Sequence, residues 1–514
     1  MERERDYKQD RIIPSMVIES EGDYVLPDYE GSIRKILHTR SRVEQKGRFK
    51  NGDKLESNGV VNHCVVYVNE DNKLESIEFT TDYELSVKCD PEEYVSSIIK
   101  PRVLSSSIRL MGPRKLSART SIGCRIVINE RKNYSVDCDE DLADDYEALE
   151  SSLAVRSTLT DRSDEYEYSE TVMKIDGVVE DEIRILLVSV DAVEKNIEEN
   201  EGRIDAEGNF VVNILYAVGA EPPSLTEFKI PFSHKIDTVE GVDAEDIETI
   251  VYINNIEAEA LPTDDGSEIN VKFTAFSELV RTSTQNVSVL ADGFYKSYEC
   301  ENEYAKVTYP SLVMAKAFEY DFSCIIPKSE LDLEEIRNVV FCSADISACD
   351  VSNNNDGLKM EGEIKFSGIA CQINEDSSLE YAPLKTMSKF CINVNDSGQN
   401  KQFDVAEAEV VPGFVETVVV EDSIEFRAKL YCRILLTKNG CVDAVSSYSA
   451  LGDNLVKEEG IVNVYYPSKD ENLFSIAKRF KKSLISIAEA NALSQETIAQ
   501  NSSNNFDKLI IIQD

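Results

Sequence analysis

A motif that recurs three times in the first 450 residues constrains the fold more than any other feature of the sequence. In each copy an isoleucine-arginine pair opens an apolar run, and a glycine follows the arginine after 25, 24 and 25 residues. The motif positions are Ile33-Arg34 with Gly59, Ile183-Arg184 with Gly208, and Ile336-Arg337 with Gly362. A repeat of about 150 residues is too long for a solenoid unit, so the sequence predicts separate domains in tandem.

The pattern inside each copy alternates between apolar and polar residues, as in Ile269, Val271 and Phe273 of the second copy. A period of two without a long helical stripe indicates half-buried antiparallel sheet. We therefore predict a mainly β chain with three tandem antiparallel β-sandwich domains, at residues 11–136, 170–303 and 304–451. Each glycine is expected to mark a tight turn or a bulge, and each isoleucine-arginine pair an edge or sheet-crossing contact.

The segment between the first two copies is strongly acidic. Eight of the fourteen residues from Asp137 to Glu150 are Asp or Glu. Such a run is usually solvated, so residues 137–169 are predicted to form an acidic linker or an exposed helix.

The charge of the chain restricts its partners. The sequence contains 96 acidic and 54 basic residues, a net charge of −42, whereas residues 461–514 contain six of each. The negative excess lies before residue 461 and argues against nucleic acid, and against an anionic membrane surface for that part. A basic or neutral protein partner fits this charge, and so does a simple role in solubility.

Catalytic and targeting motifs are absent from the sequence. The three histidines, His38, His63 and His234, are not paired at metal-ligand spacing, and the twelve cysteines form no Cys-x-x-Cys pair. There is no glycine-rich phosphate loop and no apolar run near the roughly 18 residues of a membrane span. The start, Met1 to Asp6, is polar. We expect a cytoplasmic protein without catalysis, cofactor, metal or integral membrane segment.

The last 54 residues have a different period. Val462, Val464 and Tyr465 indicate a short strand that ends before Pro467. Apolar residues then follow helical spacing at Leu473, Ile476, Ala477 and Phe480, with Asn472 or Asp470 available as the cap. A second helix from about Leu484 and a strand from Lys508 to Ile512 complete a small α+β unit of βααβ order, residues 461–514.

These residues resemble a LysM domain. The likeness rests on Tyr465, the run from Asn472 to Ala477, Arg479-Phe480, the run from Ala490 to Leu493, and the run from Lys508 to Ile511. The resemblance implies binding of N-acetylglucosamine polymers such as peptidoglycan. Asp470-Glu471-Asn472 replaces the family's Gly-Asp-Thr and Phe506 replaces a glycine, and close backbone approach to a glycan favours glycine at such positions.

The altered loops favour a protein partner over a glycan. Phe474 stands one position off the apolar stripe and is expected to project from the outer face of the first helix, beside Lys469. The alternative is that Phe474 is half-buried under the second strand. The predicted partner-binding residues are Val462, Tyr465, Lys469, Phe474 and Asn491.

Three β domains followed by this unit resemble the SPOCS-LysM spore morphogenetic proteins of endospore-forming bacteria. The resemblance implies a protein of spore coat assembly in the mother-cell cytoplasm, at the forespore surface. It further implies that the LysM domain binds the coat ATPase SpoIVA. The alternative is a peptidoglycan-binding LysM protein, against which the lack of a secretion signal argues.

Overall fold

Strands dominate the architecture. The computed structural model describes residues 4–513 except 29, 139, 201, 220, 239–243, 332, 334–335, 355–356, 374–378, 395–401, 456–460, 469–470 and 495–507. Within these residues there are two short α-helices, both near the C-terminus, and the first 455 residues are almost entirely strand. The prediction of a mainly β chain is confirmed.

The first copy consists of two three-stranded antiparallel sheets. Its strands are β1 (Glu4–Val25), β2 (Ile33–Asn51), β3 (Lys54–Asn69), β4 (Leu74–Lys88), β5 (Tyr94–Gly112) and β6 (Lys115–Ser135). The middle three form a meander in the order β2-β3-β4, and the outer three pair as β1-β6-β5. Side chains of both sheets, among them Val61, Tyr83, Ile99 and Ile126, share one apolar core.

The second copy repeats this order, and it begins earlier than the sequence predicts. After β7 (Asp137–Cys138) and a 3-10 helix (Glu140–Asp145) come β8 (Tyr146–Arg162), β9 (Tyr166–Asp176), a 3-10 helix (Glu180–Glu182), β10 (Ile183–Asn200), β11 (Arg203–Val218), β12 (Ser224–Asp237), β13 (Asp246–Thr263) and β14 (Gly266–Tyr295). The meander is β10-β11-β12; β14 pairs with β13 on one side and with β8 and β9 on the other.

The prediction of an acidic linker at 137–169 is therefore wrong for most of that segment. The long strand β14 has an edge that needs a partner, and β8 supplies it from Tyr146 onward. Leu153 and Val155 point from β8 into buried clusters, with exposures of 1% and 0%. Glu150 of β8 is exposed whereas Leu153 and Val155 are buried, a difference that the charge count alone does not show.

The third copy has the same strand order again. Its elements are β15 (Glu299–Pro327), a 3-10 helix (Lys328–Glu330), β16 (Ile336–Asn354), β17 (Gly357–Ile373), β18 (Leu379–Asn393), β19 (Val405–Val420) and β20 (Ser423–Leu451). The meander is β16-β17-β18, the other sheet is β15-β20-β19, and β7 adds to the edge of β20 in parallel. The C-terminal unit follows as β21 (Ile461–Tyr465), α1 (Leu473–Phe480), α2 (Leu484–Ala490) and β22 (Leu509–Gln513).

The recurrent glycines lie inside strands rather than before them. Gly59 pairs with Tyr83, Gly208 with Phe232 and Gly362 with Phe390, each opposite an irregular register in the preceding strand. A Cβ at these glycines would stand 2.4–2.8 Å from the nearest atom of the facing ring. The added Cβ would also lie 2.0 Å from the Glu44 carbonyl at Gly59 and 2.3 Å from the Ala348 carbonyl at Gly362, so the glycine leaves room for both the ring and the neighbouring backbone.

The three copies pack against one another. Their meanders meet in an apolar cluster, the inner junction, whose buried members are Leu37, Val66, Val68, Leu74, Leu186, Leu187, Leu215, Ala217, Phe341 and Ile369. Several of these lie in the strand that carries the isoleucine-arginine motif. Arg184 itself donates to the carbonyl of Leu74 in the first copy at 3.1 Å, so the motif makes a contact between copies.

A buried group of charges, the ion cluster, joins the same three copies. Its members are Asp10, Lys100, Arg125, Arg156, Asp246, Glu248, Glu407, Glu409 and Arg433. Burial raises the pKa of the Glu407 carboxyl, but Arg125 and Arg156 outweigh it and hold that pKa below the usual value. Glu407 is therefore charged and paired inside the body.

Candidate functional site

The C-terminal unit is built by local signals that the sequence contains. β21 pairs with β22 antiparallel, with Val462 opposite Ile512. Asn472 caps α1 by accepting a hydrogen bond from the Ser475 amide at 2.7 Å, one of the two caps that the sequence offers. Ser483 caps α2 in the same way. The βααβ order predicted for residues 461–514 is present in the structure.

The unit has its own small core. Leu473, Ile476, Leu509 and Ile511 are buried together, and Phe480 packs against them. Ala477, which the sequence placed on the same stripe, is buried on a different side of α1. The predicted stripe is thus buried throughout, but it faces two clusters.

Phe474 is buried, and the prediction that it is exposed is wrong. Its side chain is 2% accessible, and its ring meets that of Phe294 at 5.5 Å between centroids in an edge-to-face arrangement. Ala477, Ile487 and Leu149 complete the cluster. Phe294 and Leu149 belong to the second β copy, so the alternative position under the second strand of the unit is also incorrect.

Polar contacts surround this cluster. Lys478 Nζ lies 2.8 Å from both carboxylate oxygens of Asp292. Lys481 Nζ lies 3.2 Å from Glu299 Oε2, and the Leu484 amide donates to Glu147 Oε1 at 3.0 Å. Burial raises the pKa of Asp292, but Lys478 and the other donors outweigh it and lower the pKa below its usual value. Asp292 thus faces the basic end of α1 as a charged carboxylate.

Tyr465 is tied to the loop before α1. Its hydroxyl donates to Glu471 Oε2 at 2.6 Å, and Arg479 lies 3.1 Å from Glu471 Oε1. The hydrogen bond with Glu471 raises the pKa of Tyr465 and lowers that of Glu471. Glu471, which departs from the LysM pattern, is therefore a hydrogen-bond partner of Tyr465.

Asn491 connects α2 to the last strand. Its side-chain NH2 donates to the Ile510 carbonyl at 2.6 Å, and its Oδ1 accepts from the Ile510 amide at 2.7 Å. These hydrogen bonds tie the Asn491 side chain to β22, so in this structure the side chain stabilises the fold of the unit.

Val462 is the most accessible of the predicted partner-binding residues that the structure describes. It is 60% exposed and shares the outer face of the two-stranded sheet with Val464, Tyr466, Ile510 and Ile512. Lys469 lies outside the described residues, as do Asp470 and Phe506. The structure therefore leaves Val462 open to solvent and covers Phe474.

The residues that cover Phe474 or pair with the basic end of α1 could not be found from the sequence. Asp292, Phe294 and Glu299 lie about 180 residues away along the chain, near the end of one copy and the start of the next. The consecutive residues Asp292, Gly293 and Phe294 are typical of a turn. In the structure they are part of strand β14.

The described part of the chain contains no group of three or more residues that could hold a metal ion. The two largest helices in it are far too short to cross a membrane, and no candidate span is found. A cavity of about 290 Å³ lies between the first and second copies. Three glutamates line it, Glu44, Glu165 and Glu278, and Glu278 is paired with Arg48.

The comparisons with known proteins concern the second copy. Residues 181–261 match the family model described as SipL, SPOCS domain. The match covers β10, β11, β12 and most of β13. No curated protein and no solved structure matches the chain.

This match identifies the second copy as similar to a SPOCS domain of the SipL type. The first and third copies share its strand order.

Proposed function

We propose that this protein is a non-catalytic adaptor of spore coat morphogenesis that binds the coat ATPase SpoIVA through its C-terminal LysM-like unit. The observation that carries the proposal is the SipL SPOCS match at residues 181–261, which indicates a sporulation-related protein. The βααβ unit at the end of the chain supports the LysM part of the proposal. The protein would act in the mother-cell cytoplasm and help to localise coat around the forespore.

The β body fits a scaffold. Its three copies share the inner junction and the ion cluster, so it is a rigid platform rather than a flexible chain of modules. This packing supports a role in binding.

The proposed contact surface comprises Val462, Tyr465, Lys469, Phe474 and Asn491, of which Phe474 is covered by the second β copy in this structure. Val462 offers an apolar centre that is already accessible, and Tyr466 lies on the same face. The competing function is peptidoglycan binding. Against it stands Glu471, whose carboxylate already bonds Tyr465 and Arg479 in the loop where a glycan would need close approach.

The test is a binding experiment with the full-length protein. Wild type is incubated with a purified SpoIVA-type ATPase and, separately, with insoluble peptidoglycan. We expect binding to the ATPase alone, and loss of at least tenfold in affinity in Val462→Glu, because a carboxylate would be desolvated at the contact. Ile485→Glu is the matched control, since Ile485 is an equally exposed apolar residue (65%) on α2.

Two results would contradict the proposal. Sedimentation with peptidoglycan and no binding to the ATPase would favour the glycan alternative. Equal loss of ATPase binding in Val462→Glu and Ile485→Glu would show that the outer face of the sheet is not the contact.

A further inference from the structure

The outer face of α1 is covered by the second β copy. Phe474, Lys478 and Lys481 of the C-terminal unit all make their contacts there. We call the residues of the second copy and its exit that make these contacts the docking rim: Glu147, Leu149, Asp292, Phe294 and Glu299.

The contact has the anatomy of a protein interface. Phe474 is excluded from the unit's own core of Leu473, Ile476, Leu509 and Ile511. It packs with Ala477, Leu484 and Ile487 of the unit and with Phe294 and Leu149 of the second copy. Acidic groups of the docking rim surround this apolar centre and face the basic end of α1.

Charge complementarity strengthens the match. Residues 461–514 contain six acidic and six basic residues, and four of the basic ones lie between Lys478 and Lys482. The rest of the chain has nearly twice as many acidic as basic residues. Opposite charges therefore meet where the α1 end touches the body.

The ion pairs of the docked contact are partly exposed. The Lys478 and Asp292 side chains are 41% and 29% exposed, and Glu299 is 63% exposed. Ion pairs at such exposure are individually weak. One aromatic anchor therefore supplies much of the attraction.

The chain between the two bodies is short. Leu455 is held by a hydrogen bond from its amide to the Ser297 carbonyl at 2.7 Å, and β21 starts at Ile461. Six residue steps span roughly 20 Å when extended, which is enough for α1 to leave the rim. So short a tether also keeps the local concentration of the unit high, which favours the docked state.

We propose that the docking rim is an autoinhibitory cover of the C-terminal unit, and that a protein partner using the Phe474 face of α1 binds only after the unit leaves the rim. The identity of the partner in this inference rests on the proposed function, whereas the docking of the C-terminal unit does not depend on it. A partner that binds only the undocked state has its apparent affinity lowered by the undocked fraction. A unit that is docked nine-tenths of the time would lower the affinity roughly tenfold.

The docking is tested first, without any partner. The chain contains no tryptophan, so Phe474→Trp places a single fluorescent reporter at the interface of the full-length protein. We expect emission of a buried indole. Adding Asp292→Lys should shift it to longer wavelength, because Lys478 would then face a like charge.

Two controls separate undocking from local damage. Glu84→Lys makes the same charge change on an exposed residue of β4 and should leave the emission unchanged. Lys478→Glu combined with Asp292→Lys restores opposite charges and should restore the short-wavelength emission. The docking would be overturned if Phe474→Trp alone gave the long-wavelength emission of an exposed indole. It would also be overturned if Lys478→Glu combined with Asp292→Lys failed to restore the short-wavelength emission.

The autoinhibition is tested next, with Phe474 intact. Asp292→Lys should bind the SpoIVA-type ATPase roughly tenfold more tightly than wild type, and Glu84→Lys should bind like wild type. An unchanged affinity in Asp292→Lys, when the reporter shows undocking, would overturn the autoinhibition while the docking stands. No ATPase binding by any variant would refute the proposed function and the autoinhibition together, and the reporter result would still stand.

Discussion

Arg156 gives the sharpest test of the idea that the three β copies form one body. It lies on β8 of the second copy with 0% exposure. Its Nη1 is 2.6 Å from Glu407 of the third copy and its Nε is 3.1 Å from Asp10 of the first. Arg156→Met keeps a side chain of similar length and removes the charge that links all three copies.

The loss of stability in Arg156→Met depends on which partners Glu407 and Asp10 keep when Arg156 is removed. Breaking a buried ion pair by removing one partner costs about 3–5 kcal/mol, because a buried charge is left uncompensated. Glu407 keeps Arg125 at 2.6 Å, and Asp10 keeps donors from Thr158 and Asn129. We therefore expect a loss at the lower end of this range, a decrease of about 3 kcal/mol in the free energy of unfolding.

Urea unfolding followed by circular dichroism measures this cost. The matched control is Arg119→Met, because Arg119 is 64% exposed and its pairs with Glu19 and Glu21 lie on the surface. Ion pairs this exposed contribute little to stability. Neutralising the stranded acids, with Asp10→Asn and Glu407→Gln added to Arg156→Met, should recover part of the loss. Equal costs for Arg156→Met and Arg119→Met would refute the reasoning.

Two further predictions concern stability. Burial lowers the pKa of His38 to about 3 from 6.5, so the unfolded chain takes up a proton first as the pH falls, and stability is lost from pH 6.5 downward. His38→Leu should remove about 2 kcal/mol of the loss between pH 7 and pH 5, measured by urea unfolding at both; an identical pH dependence in the two proteins would contradict this. Gly362→Ala should destabilise by about 1–3 kcal/mol because its Cβ would lie 2.4 Å from the Phe390 ring. Gly112→Ala, with nothing within 4 Å, should stay within about 0.5 kcal/mol, and similar melting temperatures of both variants would show that the Phe390 ring and the Ala348 carbonyl, 2.3 Å from the added Cβ, yield without cost.

Much of the local structure is determined by the sequence alone. The period-two alternation gives strands, and the spacing from Arg34 to Gly59 recurs because each copy needs the same glycine under an aromatic ring. Asn472 and the spacing from Leu473 to Phe480 give the first helix and its start. These signals act over a few residues, so a pattern in the chain is sufficient to read them.

Only the tertiary structure decided what the copies and the C-terminal unit contact. Residues 146–162 form a strand because the edge of β14, more than 100 residues later, has to be paired, and the acidic composition does not reveal that need. Phe474 is off the core stripe, as its position predicts, yet Phe294 buries it. Helical spacing determines which side of a helix a residue occupies. Whether that side meets water or another part of the body depends on contacts between residues far apart in the chain, and these follow from the packing of whole sheets.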